Sequence, residues 1–158
     1  MTQAPLAEQL RHDLAVAMKA HDNVTVRTLR MVMAAIKSAE VAGKQAVELD
    51  DAAIVKVLQK QASQRSDSAR AFADAGRTER AEAELAERAV IERYLPEALG
   101  DDELQVIVAE EVAAYTGEPK AAMGMVIKAV NARVAGRADG KRVAELVKAK
   151  VSSPSNPA

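Results

Sequence analysis

Apolar side chains recur at intervals of three and four residues along nearly the whole chain, a spacing that favours α-helix over any strand. Leu6, Leu10, Leu14 and Met18 stand one turn apart in a helix expected from about Pro5 to Ala20. Val26, Leu29, Met33 and Ile36 mark a second, capped by Asp22 or Asn23 and continuing to about Val41. A third opens after Asp50 and ends at Gly76, with Ile54, Leu58, Ala62, Ala69 and Phe72 on its inner stripe. A fourth runs from about Thr78 to Tyr94. Asp101 is placed to cap a fifth, whose Leu104, Ile107, Val108 and Val112 point inward. Alanine, valine and leucine supply most of the apolar content, and only 7 of 158 residues are glycine, so helix propensity is high throughout.

Near the C-terminus the pattern predicts a helix, a tight corner and a second helix. Pro119 suits a first helical position, where its missing N–H costs nothing. Val126, Ile127, Val130 and Val134 form one apolar face. Gly136 can stop that helix in the left-handed region, and Asp139 can cap the next. Gly124 inside the first of these helices costs about 1 kcal/mol relative to alanine. Close packing of another backbone is the favoured reason, and approach of a ligand the other. The corner combines exposed N–H groups with Arg137, Lys141 and Arg142, which suits a phosphate; an ordinary capped corner with solvated charges fits the same residues.

Charge is segregated along the sequence although the net charge is only −1. Residues 79–118 carry Arg80, Arg88 and Arg93 against twelve acids, and residues 119–151 carry eight cations against Asp139 and Glu145. Either the basic segment attracts a polyanion, or the two segments face each other. Within the third helix, Gln61, Arg65 and Ser68 fall on the inner stripe. An arginine there must pair, snorkel or face a ligand; pairing or snorkelling is favoured, because unpaired buried arginines are rare.

The residues offer no catalytic constellation. Neither a Gly-x-x-x-x-Gly-Lys-Ser/Thr loop nor a Gly-x-Gly-x-x-Gly turn is present. With no cysteine, and with His12 and His21 nine residues apart, the sequence suggests neither a thiolate site nor a metal pair. No metal or other cofactor is expected. The absence of disulfides, of a signal-like start and of a spanning apolar run leads us to expect a cytoplasmic protein without a membrane segment. Aromatic residues are 2% of the chain, so base stacking is disfavoured, and phosphate contact to a folded RNA surface fits better.

Several stretches together resemble the GatB/YqeY family: Thr28-Leu-Arg-Met-Val-Met-Ala-Ala-Ile-Lys37, Val57-Leu-Gln-Lys-Gln-Ala-Ser-Gln-Arg65, Asp67-Ser68, Ala71-Phe72, Ala75-Gly-Arg77, Glu92-Arg-Tyr-Leu-Pro96, Met123-Gly-Met-Val-Ile-Lys128 and Gly136-Arg-Ala-Asp-Gly-Lys141. The resemblance covers about residues 5–151, with Ile127 where the family usually has methionine. In length and content the chain is similar to the stand-alone YqeY-like proteins, whose homologous region is the helical tail of the B subunit of tRNA-dependent amidotransferase. That enzyme amidates Glu-tRNA(Gln) or Asp-tRNA(Asn) with glutamine as nitrogen donor, a carbon–nitrogen ligase reaction. Its tail grips tRNA, and its chemistry belongs to parts with no counterpart in the matching residues.

The resemblance implies an all-α fold of two lobes: a bundle of about four helices over residues 1–96 and a three-helix domain over residues 97–151. The Ser- and Pro-rich stretch from Ser152 to Ala158 is expected to be a disordered tail. The implied function is non-catalytic tRNA binding through Lys128, Arg133, Arg137, Asp139, Gly140, Lys141 and Arg142, with Arg27, Arg30 and Lys37 as a second set. Gln61, Arg65 and Gly124 are structural or ligand-facing. A monomer is expected, with tRNA and an amidotransferase or synthetase as partners. A protein-interaction adaptor without RNA binding is the alternative.

Overall fold

The computed structural model describes residues 5–152. Among them are seven α-helices and no strand: α1 (Leu6–Lys19), α2 (Asn23–Val41), α3 (Asp51–Asp74), α4 (Thr78–Glu92), α5 (Asp101–Ala114), α6 (Ala122–Val134) and α7 (Gly140–Ser152). The chain divides between Leu95 and Pro96 into two compact units. Of the expected tail only Ser152 falls within the described residues, as the end of α7; positions 153–158 lie outside them.

The first unit packs α1 to α4 around Leu10, Leu29, Val32, Ile36, Ile54, Leu58, Val90 and Ile91. Each helix start has an identifiable acceptor where its sequence supplies one. The Thr25 N–H donates to Asp22 at 3.2 Å, and the Ala53 N–H to Asp50 at 2.8 Å. Pro5 has no side chain to cap α1, and Asp51 of α3 serves instead, accepting from the Leu6 N–H at 2.9 Å. Met18, expected inward, is 47% exposed, because α1 turns Ala17 to the core in its place. The inner face of α2 is Thr25, Thr28, Leu29, Val32 and Ile36, which leaves Val26 and Met33 half-buried at its edges.

Helices α3 and α4 form an antiparallel hairpin. Gly76 adopts φ +73°, the Arg77 N–H donates to Phe72 O at 2.8 Å and the Gly76 N–H to Ala73 O at 3.0 Å. Those two bonds close a Schellman turn, which requires a left-handed residue where Gly76 stands. Phe72 is half-buried, with the Arg80 guanidinium 5.8 Å from its ring centroid.

The second unit packs α5, α6 and α7 pairwise around Leu104, Val108, Val126, Val130, Val134, Val143 and Val147. A 3-10 turn from Pro119 to Ala121 leads into α6, with the proline at its start as expected. Gly100, not Asp101, is the N-cap of α5; its N–H is met by Glu103 at 3.4 Å, and the Asp101 carboxylate is used elsewhere. Two residues share the left-handed exit from α6, Ala135 at φ +45° and Gly136 at φ +86°, so the helix ends one residue earlier than Gly136 alone implies.

Candidate nucleic-acid interface

The corner between α6 and α7 is held from three directions. Asp139 accepts from the Lys141 N–H at 3.0 Å and so caps α7, leaving Gly140 as its first residue. The Arg137 N–H returns to Val134 O at 2.9 Å. From the approach to α5, the Leu99 N–H donates to Arg137 O at 2.8 Å, and Arg137 Nε donates to Glu97 O at 3.0 Å. Arg137 therefore ties the corner to the segment before α5.

The two other arginines of the basic segment meet the acidic segment. Arg142 spans to Asp101 with Nε and Nη2 at 3.0–3.2 Å and reaches Glu145 at 3.5 Å. Arg133 lies between Glu110 at 2.9 Å and Glu111 at 3.2 Å. These carboxylates push both guanidinium pKa values above the ordinary value. The three pairing acids outside α7, Asp101, Glu110 and Glu111, all lie on α5. Part of the charge separation along the chain is thus offset in space, and residues 96–152 carry nine carboxylates and eight cations.

The pairs that Arg133 and Arg142 make with Asp101, Glu110 and Glu111 lie on the α5 side. Residues in a helix advance about 100° each, so Arg142 facing α5 turns Lys141, Ala144 and Lys148 toward the α6 side of α7. On α6, Arg133 faces α5, and the same rotation places Gly124, Lys128 and Asn131 on the α7 side. Helices α6 and α7 are antiparallel neighbours, so these positions share one exposed face that carries Lys128, Lys141 and Lys148. Helix α6 itself carries no carboxylate. Lys148 was identifiable in the sequence, since it stands two turns after Lys141.

Gly124 lies on this face, exposed, and a methyl group there would meet nothing within 4 Å. The expected packing role is therefore absent: no backbone of the described chain approaches it.

The second basic set is dispersed along α2. Arg27 donates to Glu87 at 2.9 Å, Lys37 lies 3.8 Å from Glu40, and Arg30 reaches only Met18 Sδ at 4.0 Å. Arg65 is 6% exposed and donates to Glu87 at 3.1 Å, with Glu84 at 3.9 Å and Met31 Sδ at 3.5 Å. The paired reading of Arg65 holds; Gln61, one turn earlier, is half-buried. Glu87, the acceptor that Arg27 and Arg65 share, carried no distinguishing signal among the many acids of α4.

His12 lies within α1 and His21 beyond its end, at φ +56°. Among the described residues no group of three His, Cys, Asp or Glu side chains could hold a metal ion, and no helix is long and apolar enough to cross a membrane.

A family model described as Yqey-like protein matches residues 7–151. The chain belongs to the YqeY-like family. Two curated relatives are both named altered inheritance of mitochondria protein 41, mitochondrial. The YqeY-like chain is 34% identical to that of Clavispora lusitaniae over 134 residues, 80% of this chain and 74% of the relative. It is 41% identical to that of Meyerozyma guilliermondii over 86 residues, 54% of this chain and 44% of the relative. The second match thus spans under half of that relative's length. Both names place the relatives in mitochondria.

Proposed function

We propose that this YqeY-like protein is a non-catalytic RNA-binding module that contacts the phosphates of a folded RNA, tRNA above all, through the α6–α7 face. The observation that carries this reading is the pair of exposed lysines Lys128 and Lys148, opposite the flank where Arg133 and Arg142 are held by acids. Phosphate contact needs cations and room for a backbone to come close, and Gly124 supplies the room. The resemblance of the chain to the tail of the amidotransferase B subunit gives tRNA as the RNA class. Arg133, Arg137 and Arg142 are assigned to bracing, because each is engaged by a carboxylate or a carbonyl.

Binding to total tRNA across a salt series tests the proposal. The wild type is expected to bind with a negative slope of log affinity against log salt. Lys128→Glu/Lys148→Glu should weaken binding and flatten the slope by about one per lost phosphate contact. Absence of binding at low salt would end the RNA reading. The near-balance of charge in the second unit supports the adaptor reading, in which a protein partner docks; affinity for such a partner would change little with salt.

A further inference from the structure

In the first unit the C-terminal half of α1, the start of α2 and the residues after α4 line a solvent-open pocket of about 280 Å³. Val16, Ala17 and Ala20 give it an apolar wall. Its polar groups converge from three elements: Asp13 on α1, Asp22 before α2, and Arg93 and Tyr94 after α4. The Tyr94 hydroxyl donates to Asp13 Oδ2 at 2.6 Å, which fixes that carboxylate in the wall, while its second oxygen accepts no hydrogen bond among the described residues. Asp22 is held by the Thr25 N–H and hydroxyl, at 3.2 and 2.6 Å.

Arg93 is different from the arginines that brace this fold. Arg27, Arg65, Arg88, Arg133 and Arg142 all meet carboxylates, whereas the Arg93 guanidinium makes no hydrogen bond or ion pair among the described residues. It stands near enough to Asp22 and Tyr94 to influence both electrostatically, yet it does not close on either carboxylate of the pocket. A cation and two carboxylates thus share one small, part-apolar pocket without neutralising each other. A few convergent polar groups on an apolar wall are the usual make-up of a small-molecule site.

The geometry points to a binding site for a small zwitterion of the α-amino acid class, its carboxylate on Arg93, its ammonium between Asp13 and Asp22, and its side chain against Val16, Ala17 and Ala20. The ligand's two charges complete what the protein leaves open, and the pocket volume accommodates a free amino acid. The site lies in the first unit and does not rest on the RNA reading of α6 and α7.

The test is a titration of the isotope-labelled full chain with each of the twenty protein amino acids, following backbone amide shifts. For the best binder, the N-acetylated form and the decarboxylated amine are titrated in parallel. A saturable shift centred on residues 13–25 and 93–94 is expected for at least one amino acid, with a Kd of about 1 mM or below. Both one-charge analogues should bind at least tenfold more weakly. Arg93→Gln should lose the amino acid, while binding of the amine stays as weak as in the wild type. Asp13→Asn, which keeps an acceptor for Tyr94, should weaken the amino acid and the amine alike. Absence of any saturable shift across the twenty would overturn the inference, as would an amine that binds as tightly as its parent amino acid.

Discussion

Arg65 shows how one buried charge organises the first unit. Its guanidinium is inside, and Glu87, itself 8% exposed, accepts from it while also taking Arg27. Removing one member of such a group is more harmful than removing both, because the survivor is left charged in a poor solvent. Glu87→Ala should destabilise the protein by about 3–5 kcal/mol, since Glu84 at 3.9 Å would be the one carboxylate left near Arg65 among the described residues. Arg65→Met should cost less, because Arg27 still neutralises Glu87 and methionine fills similar volume. Urea denaturation of the two variants tests the order, and a milder effect of Glu87→Ala would refute the shared-acceptor account. Two other groups set the pH limits. Hydrogen bonds from the Thr25 hydroxyl and N–H hold the Asp22 carboxyl below its ordinary pKa. Its stabilising share is full above the ordinary carboxylate range and is lost as pH falls through the lowered value. Burial and the bond to Asp13 push the Tyr94 phenol above its ordinary value. Its share is full below that ordinary value and disappears as pH rises through the raised one. Asp22→Asn and Tyr94→Phe should therefore flatten the acid and alkaline limbs of a stability-against-pH curve, respectively.

At the scale of elements, the helices were legible because 3.6-residue periodicity and local caps are written in adjacent residues. Asp22, Asp50, Gly76 and Asp139 all act at the ends where they were expected. What could not be read locally were partnerships between distant positions: Asp51 closing α1, or Asp101 leaving the cap of α5 to hold Arg142. The same limit applies to the candidate interface. A run of cations was visible, but which of them α5 would neutralise depended on helix rotation and packing. The α6–α7 corner also contains a correctable strain. Ala135 sits at φ +45°, where an L side chain costs about 1–2 kcal/mol, while glycine costs additional unfolded-chain entropy. Ala135→Gly should stabilise the second unit by about 0.5 kcal/mol net, seen as a higher denaturation midpoint. Gly124→Ala should likewise stabilise by up to about 1 kcal/mol, because the added methyl meets nothing. On the proposed interface, that same methyl should weaken RNA binding. Stabilisation with unchanged affinity would remove Gly124 from the contact surface while leaving the lysines in place.

For the whole molecule, each unit has its own apolar core, and the two cores share no residue. That arrangement predicts separable stability, and a single core truncation can measure it. Val130 is fully buried in the second core, so Val130→Ala removes two buried carbons from α6 without touching any residue of the first core. The expected loss is about 2 kcal/mol, from transfer of the deleted carbons plus the cavity left behind. Native-state hydrogen exchange reads the consequence at every amide. If the units open independently, the slowest amides of α5, α6 and α7 should exchange about 30-fold faster, the factor that 2 kcal/mol represents, while those of α1 to α4 keep their rates. Equal acceleration in all seven helices would mean that the chain opens as one cooperative body despite its two cores. The distinction matters for function. With independent units, a ligand at the α1–α2 pocket would protect amides of α1 to α4 alone, and RNA on the α6–α7 face would protect α5 to α7 alone. With a single cooperative body, either ligand would stabilise the other site through their common unfolding equilibrium.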